Sequence, residues 1–133
     1  MQNPGRFQFE AAIQSAHAAS RLHDRDVTND IILLYQRLVA IAPTIGAQVG
    51  YAAALSKGGE HPRALEVLDS VEMERIASYQ PYWAVRAHIL AKLGDAEHAL
   101  EAYDHAVGLA TEHSVRAFLH EQKAALQNKN QNQ

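Results

Sequence analysis

No cysteine occurs among the 133 residues, which removes disulfide frameworks, thiolate nucleophiles and Cys-based zinc sites together. Proline and glycine are sparse, at 4 and 7 residues against 24 alanines, and alanine has the best intrinsic helix propensity. Charge is modest as well: 12 Lys and Arg against 15 Asp and Glu leave a net charge of -3. No segment concentrates the basic residues, which argues against a surface that tracks nucleic-acid phosphates. Long apolar runs are missing too. Arg37, Pro43 and Lys92 interrupt the candidates short of the roughly 18 residues that a membrane helix needs, and Met1 to Arg6 form no charged-then-apolar leader. These absences predict a soluble, cytoplasmic chain. What is present is 47% apolar sequence, enough for a core that folds unaided.

The apolar spacing is helical throughout. Phe9, Ile13, Ala16, Ala19 and Leu22 step by threes and fours and predict a helix over residues 6–22. Thr28 is placed to cap a second helix carrying Ile31, Leu34, Tyr35, Leu38 and Ile41, with Asp30 near its positive end. Pro43 ends that helix and pushes Ala42 out of helical geometry. A third covers residues 44–57 and closes at Gly58 and Gly59, which tolerate a left-handed backbone. Pro62 suits the first turn of a fourth, and residues 72–80 read as a long connection. Pro81 opens a fifth that stops at Gly94, and Asp95 caps a sixth running to about residue 109. Thr111 or Ser114 starts a seventh with Val115, Phe118, Leu119 and Leu126. No segment alternates with period two for long enough to make a strand. The expectation is an all-α fold of about seven antiparallel helices: a flexible terminus at 1–5, one helical domain over 6–127, and a disordered tail over 128–133.

An internal repeat organises these helices. Residues 51–69 align without gaps on residues 86–104, a shift of 35, with eight identities in 19 positions. The identities include Ala52/Ala87, Leu55/Leu90, Lys57/Lys92, Gly59/Gly94, Ala64/Ala99 and Asp69/Asp104. The pattern resembles the tetratricopeptide repeat (TPR), a helix–turn–helix unit of about 34 residues. Its second copy offers Trp83, Ala87, Leu90, Ala99 and Tyr103 to the packing slots, and its first offers Gln48, Ala52, Leu55, Ala64 and Leu68. Ile31, Tyr35 and Pro43 fit the second half of a degenerate unit over residues 6–43. Stacked units of this kind imply a superhelix with a concave face.

Several segments carry a more specific resemblance. Gly5, Gln8, Ala11, Ala12, Ile13 and His17 fall in an opening pattern; Tyr79, Gln80, Pro81, Tyr82, Trp83 and Ala84 form a second; Leu34 to Leu38 and Ala102 to Leu109 add more. Over residues 5–127 the chain is similar to the C-terminal TPR-like domain of a group of bacterial extracytoplasmic-function (ECF) sigma factors. The resemblance implies a regulatory or scaffolding domain that supports transcription initiation by contacting sigma core regions or RNA polymerase. The promoter-binding regions of that family have no counterpart here, so the resemblance implies an isolated domain without direct DNA contact. A TPR adaptor for an unrelated protein is the alternative.

Catalysis finds no support in the sequence. The eight histidines lack a His-Glu-x-x-His motif, and His98 with His105, like His113 with His120, stand too far apart to share one metal. They read as exposed helix positions, and His17 as a packing or hydrogen-bonding residue. Glu72 and Glu74 lie in a solvated loop, whereas acid–base work needs a desolvated carboxylate. The serines lack a nucleophile elbow, and Gly58-Gly59 lacks the Lys-Ser or Lys-Thr of a phosphate loop. No enzyme, metal or cofactor is expected. Repeat alignment instead points to a mostly apolar groove, which either accepts an amphipathic helix or linker of a partner protein or is closed by residues 6–22. Val49 and Ala53, then Ala84 and His88, occupy the inner-face slots, with Lys57 and Lys92 on the rim and Tyr79 and Tyr82 as aromatic anchors.

Overall fold

The computed structural model describes residues 4–23 and 27–131, and every regular element among them is a helix. In order these are α1 (Pro4–His23), α2 (Thr28–Ile41), α3 (Ile45–Lys57), α4 (His61–Asp69), α5 (Met73–Ile76), α6 (Gln80–Lys92), α7 (Ala96–Leu109) and α8 (His113–Gln131). The all-α expectation therefore holds, with one element more than the sequence predicts. That element, the single turn α5, replaces the expected long connection. Val71 and Ile76 are buried at 6% and 3% exposure, so two apolar anchors pull the segment onto its neighbours. Ile76 O accepts both Tyr79 N–H at 3.1 Å and the Trp83 indole N–H at 3.0 Å.

Two helix ends differ from expectation. Thr28 lies inside the first turn of α2, and the buried Val27 takes the cap position with no side-chain bond. The Val27 carbonyl closes the turn on Ile31 N–H, so burial rather than a hydroxyl sets this start. At the other terminus, α8 continues to Gln131, through residues predicted to form part of a tail. Once upstream turns are packed, each further residue adds a backbone bond at little nucleation cost, and Lys129 in the last turn complements the negative helix end. The Asp95 cap and the break at Ala42 work as predicted, and Thr44, predicted as the first helical residue, instead caps α3. Thr44 Oγ1 accepts Ala47 N–H at 3.1 Å, Asp95 Oδ1 accepts His98 N–H at 3.2 Å, and Ala42 leaves the helical region at φ -143, ψ 85 before Pro43.

The repeat is reproduced bond for bond. Glu60 N–H donates to Leu55 O at 2.9 Å, and 35 positions on Asp95 N–H donates to Leu90 O at 2.9 Å. Ala64 to Glu60 and Ala99 to Asp95 are both 3.0 Å. The turn glycines take the same left-handed backbone, Gly59 at φ 84 and Gly94 at φ 86, where a side chain would be strained. Ala52, Ala64, Ala87 and Ala99 are each fully buried, because only a methyl group fits where paired helices approach closely.

The chain divides into two compact units, Met1–Val67 and Leu68–Gln133. In the first, α1 packs on α2 and α2 on α3, around Ile13, Leu38 and Ala47 with Phe9, Leu34, Tyr35 and Val39 against them. In the second, α6 packs on α7 and α7 on α8. Their core is Ala87, Ala102, Tyr103, Ala106, Ala110 and Leu119, with Trp83, Val115 and Leu126 against it. Leu55, Leu68 and Ile89 are the largest fully buried side chains, each contributing about 1.5–3 kcal/mol by leaving water. No described helix is long and apolar enough to cross a membrane.

Candidate functional site

The predicted face separates into accessible and core positions. Val49 and Tyr82 are both 4% exposed. They belong to the interior, which corrects their assignment as a surface slot and an aromatic anchor. Helix geometry explains this: Val49 lies a residue before the outward stripe of α3, whose members Gly46, Ala53 and Lys57 are exposed. The same stripe recurs on α6 as Pro81, His88 and Lys92, all exposed, with Ala84 and Tyr79 half-buried. Within its own unit each helix thus offers a narrow surface of small or uncharged side chains ending in lysine.

Tyr82 and Trp83 have other work. The Tyr82 ring meets Trp83 edge-on at 5.2 Å, and the indole stacks on His105 at 4.3 Å with planes 22° apart. Trp83 packs between helices as predicted, against the core of the second unit, its N–H satisfied by Ile76 O. Burial pushes the Tyr82 hydroxyl above its ordinary pKa of 10.0, against the pull of the nearby Arg86 charge. Arg86 donates to Asp69 at 2.8 Å and to Tyr82 Oη at 3.4 Å. A groove of about 390 Å³ runs past these groups, with Met73, 77% exposed, Ile76, Trp83 and His105 among its walls.

Sequence reasoning missed the polar contacts that join helices. Asp69 receives Arg86 from α6, and its repeat partner Asp104 receives Lys123 from α8. The Asp69/Asp104 identity was the available signal, but its cations do not share the repeat register: Arg86 shifted by 35 falls on Glu121, whereas Asp104 takes Lys123. Ser56, buried at 5%, shares a hydrogen bond of 3.0 Å with His61 Nδ1 across the α3–α4 turn. In the second copy both positions are alanine, Ala91 and Ala96, so the pair is present or replaced as a unit. The ion pair of Arg63 with Glu60, at 3.4 Å, likewise has its counterpart in His98 with Asp95 at 2.8 Å.

The histidines do not converge. Among the described residues no three His, Cys, Asp or Glu side chains are grouped to hold a metal ion. His88, His98, His105, His113 and His120 are exposed, His17 and His61 half-buried, and the side chain of His23 lies outside the described residues. His17 lines a cleft of about 210 Å³ in the first unit, together with Ile31, Tyr35, Ala53 and Lys57. Tyr35 approaches α3 closely because Gly50 has no side chain: a Cβ there would stand 2.6 Å from the ring. Burial raises the Tyr35 pKa above 10.0.

No family model matches the chain. An uncharacterised protein of Rhizobium meliloti (strain 1021) is 34% identical over 116 residues, 87% of this chain. Those residues amount to 27% of that protein, so the chain spans little more than a quarter of this relative's length.

Proposed function

We propose that this chain is the C-terminal regulatory or scaffold domain of an ECF-type sigma factor. In that role it supports transcription initiation by protein contact with sigma core regions or RNA polymerase, in the cytoplasm and without catalysis. The observation that carries the reading is the repeated outward stripe: Ala53 with Lys57 on α3, and His88 with Lys92 on α6, at matching repeat positions and exposed. The resemblance over residues 5–127 supplies the partner class. The relative's greater length agrees with a fold used as one module of a longer polypeptide. Small, uncharged side chains let a partner approach closely and bury apolar area, while the terminal lysines steer an acidic rim.

The test mixes the purified chain with the matching sigma core and with RNA polymerase, and repeats the measurement with Ala53→Glu and His88→Glu. Both positions are exposed, so the variants keep the fold, unlike a truncation of buried Tyr82. An unpartnered charge carried into an apolar contact should weaken association by about 2 kcal/mol or more. Parent-like binding by both folded variants would remove these two stripes from the contact. Absence of binding to either partner would favour a TPR adaptor for an unrelated protein.

A further inference from the structure

The cleft of the first unit combines an apolar lining with donors that have no partner among the described residues. Ile31 and Ala54 form buried walls, Gly50 and Ala53 leave the space open, and the Tyr35 ring lines it. Lys57, Tyr35 and His17 also line it, and none of the three makes a hydrogen bond or ion pair with another described residue. Among the described residues lining the cleft there is no carboxylate. An ammonium, a phenol and an imidazole around one apolar space can all donate to the same anion.

We propose that this cleft binds a small monocarboxylate with an apolar body, a single aromatic ring or a short alkyl chain. Size sets the body: a cavity of about 150 Å³ accepts benzene, and about 210 Å³ leaves room for one ring plus a carboxylate. Charge sets the head. A cationic ligand would meet Lys57 directly, and a polyanion would place charge against Ile31 and Ala54 with one permanent cation to balance it. The ligand's ring lies against Tyr35 and Ile31, and its carboxylate accepts from Lys57 Nζ and the Tyr35 hydroxyl. The cleft shares Ala53 and Lys57 with the protein-contact stripe, but its readouts involve no partner, so either reading can fail without the other.

The experiment follows backbone amide shifts of the full chain by NMR during titration with benzoate, benzylamine and benzyl alcohol. Benzoate should saturate at concentrations up to the order of 10 mM, shifting Ile31, Tyr35, Ala53 and Lys57 together, while benzylamine leaves them in place. Lys57→Ala should weaken benzoate at least about five-fold with an unchanged melting midpoint. Ala53→Trp, filling the cleft from an exposed position, should abolish binding. Benzylamine or benzyl alcohol binding as tightly as benzoate would overturn the proposal, as would benzoate shifts elsewhere or none. An acetylated dipeptide ending in phenylalanine presents the same head on a chain terminus. Saturable binding of that peptide without binding of benzoate would assign the cleft to a protein C-terminus and overturn the small-molecule reading.

Discussion

At the scale of the residue, two helical glycines should respond to alanine with opposite sign. At Gly50 a methyl group would stand 2.6–2.9 Å from three atoms of the Tyr35 side chain, whereas at Gly108 nothing lies within 4 Å. Gly50→Ala must displace a ring packed against the α1–α2 core, at a cost of about 1–3 kcal/mol. Gly108→Ala gains the ordinary helix preference, about 0.5–1 kcal/mol. Denaturant melts of the two variants check the signs. The capping residue Asp95 and His98 make a second case, read through pH. The backbone N–H of His98, then its imidazole, hold the Asp95 carboxyl below its ordinary 3.8, and the bond to Asp95 holds His98 above its ordinary 6.5. The Asp95 share of stability is present above 3.8 and fades as pH falls through the lowered value. The His98 share is present below 6.5 and fades as pH rises through the raised one. Solvent reaches both side chains and screens the pair, so the effect is small. The melting midpoints of the parent and His98→Ala should differ most between those two ordinary values and converge toward alkaline pH. A gap that widened with alkalinity would refute the assignment.

At the scale of the element, the Ser56–His61 bond ties the end of α3 to the start of α4, and the second copy shows what can replace it. Removing one partner strands the other's hydrogen-bonding group in a half-buried turn, at a cost of about 1 kcal/mol or more. Removing both recreates the alanine pair at Ala91 and Ala96. The double variant Ser56→Ala/His61→Ala should therefore lose less stability than the two single losses added together, measured as a double-mutant cycle. Helix existence, the turns and the small packing residues were legible in the sequence because they are local: Gly59, Gly94, Pro43 and Asp95 act within a few positions. Thr28 and the segment around α5 misled because the burial of Val27, Val71 and Ile76 decided those ends, and burial depends on residues distant in sequence. The candidate face was half legible. Repeat register located Ala53, Lys57, His88 and Lys92, but an error of one residue around a helix turns an outward slot into a core position, as at Val49. The cleft was hidden, since His17, Tyr35 and Lys57 belong to three different helices.

At the scale of the whole molecule, the charge balance of -3 bears on what the chain leaves alone. Binding to duplex DNA releases condensed counterions in proportion to the phosphates neutralised, and the cations here are dispersed, several already held by Glu10, Glu60, Asp69 and Asp104. Fluorescence anisotropy with labelled duplex should show no specific, salt-dependent binding by this chain alone.

The paired aspartates have a consequence for how such a chain can change length. Asp69 and Asp104 each close on a cation supplied by a later helix, and the bonds between them recur at an interval of 35 residues. A tandem duplication of that interval would bring its own left-handed glycine, its own acidic cap and its own aspartate. The new segment would then find ready-made neighbours on both sides. An insertion of another size within a pair would carry none of these and would displace the aspartate from the later helix that supplies its cation. Lineages of this fold should therefore lengthen or shorten in whole steps, with odd-sized insertions confined to places such as the exposed Ala77 and Ser78, between α5 and α6.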